Sequence, residues 1–141
     1  MAKIKGSDER LRAIPLFREL SKQELQRVSQ LMTALEIPAG QQLITQGDVG
    51  REFMIIVEGT AAVRRGGRKV AEVGPGDFLG EVSVLAGTPR NADVVATSDM
   101  VVEVLTAGEL ASLLDENARI TRKILVGALA RLAQVERSQI S

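Results

Sequence analysis

A chain of 141 residues is most simply one domain, and at this length it buries roughly two-thirds of the surface that its unfolded form exposes, leaving no room for a second. Eighteen basic and eighteen acidic side chains give a formal net charge of zero, so no broad field draws the chain to nucleic acid or to an anionic membrane. Cysteine and histidine are both absent, which removes disulfides, thiolate and imidazole metal ligands and the commonest general base, and so argues against an enzyme.

The opening Met1-Ala2-Lys3-Ile4-Lys5-Gly6-Ser7 carries charge but no apolar core of signal-peptide length. The strongest apolar run, Phe53 to Val57, is far too short to cross a bilayer, and the expectation is a cytoplasmic protein without a membrane span. Residues 8–32 read as a helical preface. Residues 8–13 hold a few helix-like positions, Pro15 interrupts, and Leu16, Phe17 and Leu20 form an apolar patch. Ser21-Lys22-Gln23-Glu24 then fits a capping box and predicts a helix from Lys22 to about Met32, with Leu25, Val28, Leu31 and Met32 on one face.

Residues 33–106 change to short β-type runs cut by turn residues, the pattern of a sandwich or jelly roll. Leu35 and Ile37 alternate before Pro38-Ala39-Gly40, and Leu43 and Ile44 precede Gln46-Gly47-Asp48. Phe53 to Val57 lacks alternation, which predicts a strand covered on both faces. Thr60 to Arg65 and Arg68 to Val73 flank Gly66-Gly67, a two-residue hairpin signal. Arg64, Arg65, Arg68 and Lys69 crowd its tip; with no aromatic stacking partner they read as a solvated turn, and no nucleic-acid partner is expected. Ala92 to Ala96 and Met100 to Leu105 read as the closing strands.

Residues 107–141 return to helix. Thr106-Ala107-Gly108-Glu109 is a second capping box, and Asn117 is a good N-cap for a longer helix reaching about Gln139. Ile120, Ile124, Leu125, Leu129, Leu132 and Val135 predict a stripe docked on the β-rich body, with Arg119, Arg122, Lys123, Arg131 and Arg137 around the sides. Gly127 costs about 1 kcal/mol relative to alanine in mid-helix and marks a bend or a close contact.

Residues 76–93 carry the chemistry. Gly80 stands where extended Phe78-Leu79 gives way to a short helix from Glu81 to Ala86, and free backbone N–H groups at a helix start suit an anion. Glu81 would repel that anion unless it faced another group such as a ribose hydroxyl. Gly87-Thr88-Pro89 turns the chain and returns Arg90, whose planar fork suits two phosphate oxygens.

Phe78-Leu79-Gly80-Glu81-Val82-Ser83-Val84-Leu85, the Gly87-Thr88-Pro89 link and Arg90-Asn91-Ala92-Asp93 resemble the phosphate-binding cassette of cyclic-nucleotide-binding domains, the family of the catabolite activator protein and the regulatory subunits of cAMP-dependent protein kinase. The resemblance implies a mainly β double-stranded β-helix, or jelly roll, with N-terminal helices and C-terminal lid helices, forming one domain over residues 1–141. It implies that Glu81 takes the ribose 2′-hydroxyl and Arg90 an equatorial phosphate oxygen. Backbone amides at Gly80, Glu81, Val82, Asn91 and Ala92 complete the cradle. Asn91 departs from the usual Ser, Thr or Ala and leaves the choice between cAMP and cGMP open.

The expected ligand is cAMP, with cGMP second, and no cofactor. The expected partners are an effector protein or a second copy of the chain through the C-terminal helix. Leu132, Val135, Glu136 and Arg137 are candidates to touch the base. The alternatives are a protein-interaction domain with a vestigial pocket and a regulatory fragment of a larger effector. Cupins share this kind of barrel, but their metal enzymes use histidines that this chain lacks.

Overall fold

Successive side chains of a strand point to opposite faces, and the run Phe53 to Ile56 is apolar on both, so a layer must cover each side of it. The computed structural model describes residues 2–4 and 11–140, with side chains for residues 11–131 and 133. Strand β4 (Glu52–Glu58) turns Phe53 and Ile55 into one core cluster, against helices, and Met54 and Ile56 into another, between two sheets. All four are buried, as the missing alternation predicts.

Around β4 the strands are β1 (Ala2–Ile4), β2 (Thr33–Ile37), β3 (Gln42–Ile44), β5 (Ala61–Arg65), β6 (Arg68–Val73), β7 (Phe78–Leu79), β8 (Asp93–Ala96) and β9 (Met100–Thr106). They form a sheet in the order β1-β2-β9-β4-β7 and a second in the order β3-β8-β5-β6, antiparallel throughout. This is the jelly roll expected from residues 33–106, and its strands fall within a residue or two of the predicted runs. Strand β1 is an element that the sequence reading did not mark: Ala2 to Ile4 pair with Glu36 to Ala34. Three residues are too few to show a period, and only the open edge of β2 calls them into a sheet. Residues 8–10 of the expected first helical segment lie outside the described residues.

Among the described residues, the helices that pack on the five-stranded sheet are a 3-10 turn (Pro15–Phe17) and the α-helices α1 (Lys22–Leu31), α2 (Glu81–Ala86), α3 (Ala107–Glu116) and α4 (Ala118–Ile140). Both predicted capping boxes close, with the Ser21 and Thr106 hydroxyls accepting from the Glu24 and Glu109 amides and each carboxylate returning to its N-cap amide. Asn117 caps α4 by accepting from the Ile120 amide at 3.0 Å. Its amide nitrogen donates to Glu24 Oε2 at 2.8 Å, and Arg119 donates to Glu24 Oε1 at 3.3 Å, so one carboxylate ties the first turn of α1 to the first turn of α4.

Helix α4 overturns part of the predicted stripe. Ile120 and Ile124 are buried, but Leu125 and Leu129 are 57% and 55% exposed. A spacing of four, three and four residues keeps one line on a helix facing the same way, and here that line runs Ile120, Ile124, Gly127, Arg131. Leu125 and Leu129 lie one and two positions off it. Gly127 is the close contact: a methyl there would stand 2.6 Å from Phe78 Cζ and 3.1 Å from Cε1.

Two outcomes follow from this packing. Alanine at Gly127 would favour an isolated helix by about 1 kcal/mol, yet Gly127→Ala is expected to lower the thermal midpoint, because α4 must lift off Phe78; a raised midpoint in calorimetry would show that the contact is absent. The Ser21 amide, above all, holds the Glu24 carboxyl below the usual carboxylate range, with Arg119 and Asn117 adding to it. A depressed folded-state value gives stability that is present above the ordinary range and lost as pH falls through it. Glu24→Gln is therefore expected to flatten the acid limb of a urea-stability profile below about pH 5, and an unchanged limb would remove Glu24 from the link.

Candidate functional site

Strand β7 fixes the entry to the site by pairing Leu79 with Met54 and Phe78 with Ile55. The chain then turns at Gly80, whose φ of +89° lies in the left-handed region. A methyl there would overlap Arg90 Nη1 and stand 2.8 Å from Glu52 O, so the glycine is required twice, by the backbone and by the guanidinium against it. Helix α2 has no side-chain cap at this end. It closes at Gly87, φ +69°, with the Gly87 amide donating to Ser83 O. The buried Ser83 hydroxyl donates to Thr88 O at 2.5 Å and pins the returning turn to the helix.

Arg90 is set from both sides. Its amide donates to Asp48 O at 2.8 Å and its carbonyl accepts from the Gly47 amide at 2.9 Å. The side chain is 8% exposed; Nη2 donates to Glu52 O at 2.7 Å, and Nη1 to Gly80 O at a longer 3.4 Å. Among the described residues it makes no ion pair. Burial pulls its pKa down from the ordinary arginine value, and the Glu52 and Glu81 carboxylates partly offset that. An arginine stays charged regardless, so the fold holds a buried cation whose hydrogen-bond partners among the described residues are carbonyl dipoles, with the nearby carboxylates outside ion-pair contact.

Glu81 is the other buried charge of residues 76–93, at 3% exposed. It meets a residue that sequence reasoning left on the side of the last helix. Arg131 Nη1 donates to Glu81 Oε1 at 3.0 Å and Oε2 at 3.2 Å, while Nη2 donates to Phe78 O. The Arg131 guanidinium also lies 4.7 Å from the centroid of the Phe78 ring, a cation–π contact. The signal for it was present as the line Ile120, Ile124, Gly127, Arg131. What hid it is the separation of 50 residues from Glu81.

The structure thus gathers Gly80, Glu81 and Arg90 in one place, as expected. The Val82 side chain is 52% exposed and turned outward, so any part it plays falls to its backbone. Asn91 is exposed, with its carbonyl accepting from Arg65 Nε at 3.1 Å, and Ala92 is buried behind it. Side chains of Leu132, Val135, Glu136 and Arg137 lie outside the described residues. Two guanidinium groups, Arg90 and Arg131, against one carboxylate, Glu81, leave one positive charge buried or half-buried at the site. Glu52 is exposed, where solvent and salt weaken its field. A carboxylate has about four lone-pair sites, so Glu81 can accept from Arg131 and from a ligand hydroxyl together. This chemistry suits a monoanion that also carries a hydroxyl.

No described helix is long and apolar enough to cross a membrane. Residues 34–117 match the family model described as the cyclic nucleotide-binding domain. The cAMP-dependent protein kinase regulatory subunit of Mycosarcoma maydis is 37% identical, over 77% of this chain and 24% of that protein, so the chain spans only a fraction of its relative's length. The catabolite activator protein of Thermus thermophilus superposes with a TM-score of 0.79 at 25% identity, covering 89% of this chain and 61% of the other. The regulatory subunit of a cAMP-independent protein kinase A from Trypanosoma brucei superposes with a TM-score of 0.72 at 28% identity, covering 89% and 44%. The family model spans more than half of the sequence and the roll is shared with its solved members: this chain belongs to the cyclic nucleotide-binding domain family.

Proposed function

We propose that this chain binds a cyclic nucleotide, cAMP first and cGMP second, as a regulatory rather than catalytic domain. The observation that carries the reading is Arg90, buried and charged, with backbone carbonyls as its hydrogen-bond partners among the described residues. A buried charge without a counter-charge costs several kcal/mol, and an incoming phosphate oxygen offsets that cost. Glu81 accepts the ribose 2′-hydroxyl beside Arg131, and the amides of Gly80, Glu81, Val82, Asn91 and Ala92 complete the cradle. cAMP is placed first because it stands in the name of the Mycosarcoma maydis relative, and cGMP is kept second because the Trypanosoma brucei neighbour is the regulatory subunit of a kinase described as cAMP-independent.

The output in this reading is the position of α4. With Arg131 on Glu81, the lid helix is held against the cassette, and a ligand sharing Glu81 favours that closed position over an open one. Through Asn117 and Arg119 the same helix grips Glu24 on α1, so the N-terminal helix follows. Leu125, Val126 and Leu129 face outward on α4 and offer an effector or a second copy a surface that reports its position.

Calorimetric titration with cAMP, cGMP and AMP tests this. Wild type is expected to bind a cyclic nucleotide more tightly than AMP, and Arg90→Ala to lose roughly 2–5 kcal/mol, since it strands a desolvated phosphate. Glu81→Ala should weaken ribose nucleotides and leave a 2′-deoxy analogue nearly unchanged. An Arg90→Ala protein that binds as tightly as wild type, or equal losses for both sugars with Glu81→Ala, contradicts the roles given to these residues.

A further inference from the structure

The loop before β4 forms a wall of the site that residues 76–93 do not contain. Gly47 and Asp48 bracket Arg90 with two backbone hydrogen bonds, Val49 makes a β-bridge with Pro89, and Glu52 O accepts from Nη2. In the middle of this loop Gly50 lies against the cassette. A methyl on it would overlap Ser83 Oγ and stand 2.6 Å from Ser83 Cβ and 3.2 Å from Arg90 Cζ. Gly50 is not among the glycines of positive φ, so the backbone does not demand a glycine here; the space does. Ser83 cannot make room by rotating, because its Cβ is fixed by α2 and its hydroxyl is engaged with Thr88 O.

We propose that Gly50 is a positioning residue for the anion site, whose missing side chain lets residues 47–52 close on Ser83 and set the Arg90 guanidinium at the depth where it meets a cyclic phosphate. This rests on the reading that Arg90 holds that phosphate. Gly50 touches no ligand and acts through Arg90. A methyl group at this point forces the loop and α2 apart, and because Nη1 and Nη2 bond one carbonyl on each side, Gly80 O at the start of α2 and Glu52 O where the loop enters β4, the guanidinium is expected to be drawn off one of them. Removing the Ser83 side chain returns most of the space, leaving the 3.2 Å approach to Arg90 Cζ, which a few tenths of an ångström relieve.

The test is a cycle of cAMP dissociation constants for wild type, Gly50→Ala, Arg90→Ala and the double variant, with Gly50→Ala/Ser83→Gly as the repair. Gly50→Ala is expected to weaken binding about tenfold or more, as small displacements of a binding group do, and Ser83→Gly to recover part of that loss. In the Arg90→Ala background the same methyl should change affinity less than about twofold, because sites that act through one another are not additive. Equal factors in both backgrounds, or no loss in the first, overturn the proposal. Where Gly50→Ala alone does not fold, the repaired chain replaces it, and a repaired chain that also fails to fold makes Gly50 a folding requirement and overturns it too. A ligand-free readout separates this inference from the nucleotide reading. By NMR the Arg90 guanidinium N–H signals should exchange slowly in wild type and lose that protection in Gly50→Ala. Should wild type bind no nucleotide while that contrast holds, the nucleotide reading falls and the positioning role stands; equal protection in both proteins sinks the positioning role.

Discussion

A guanidinium taken out of water is tolerated only where something compensates for its lost hydration, and at Arg90 the compensation supplied by the protein is partial. Two backbone carbonyls, from Gly80 and Glu52, accept from it, and no carboxylate among the described residues completes an ion pair. The rest of the site can be understood as what is needed to keep this arrangement. Gly80 and Gly50 leave out side chains where they would strike Arg90 or its support. Ser83 pins the turn that returns it, and the backbone of residues 47 and 48 fixes its main chain. A carboxylate in place of the carbonyls would hold the guanidinium more cheaply, but it would also close the site to an anion.

The second guanidinium at the site works in the opposite sense. Glu81 and Arg131 neutralise each other across the site, and the pair links the cassette to the last helix. Because Arg131 remains partly exposed, this ion pair is screened and modest in strength. That suits a reversible latch: a contact strong enough to bias α4 and weak enough to be remade. Phe78 serves both ends of it, packing on Phe53 in the core at 5.7 Å between centroids while presenting its ring to Arg131 and Gly127. A change at Glu81 is therefore mechanically one contact away from the core of the roll.

Much of this was legible in the sequence where the signal is local. Gly80, Gly87, Pro89 and Arg90 announce a strand, a short helix and a returning turn within fifteen residues, and the two capping boxes mark the starts of their helices to the residue. The unbroken run in β4 announced a strand covered on both sides. What stayed hidden depends on tertiary placement. Three residues of β1 are too short for periodicity and form a strand only because β2 offers an edge. Arg131 looked like a surface arginine because its partner is 50 residues away. Leu125 and Leu129 were assigned to the buried stripe because leucine is apolar, yet the helix turns Gly127 and Arg131 to the roll in their place. Gly50 carried no local signal at all, since its reason lies in Ser83 and Arg90.

The central claim is that the Arg90 guanidinium is held ready for one oxygen of a cyclic phosphate, and the most direct measurement is a crystal structure of the chain grown with cAMP. The account predicts an equatorial phosphate oxygen within hydrogen-bonding distance of the Arg90 guanidinium and the ribose 2′-hydroxyl on Glu81. A nucleotide bound elsewhere, with Arg90 still engaging only the carbonyls of Gly80 and Glu52, would contradict it.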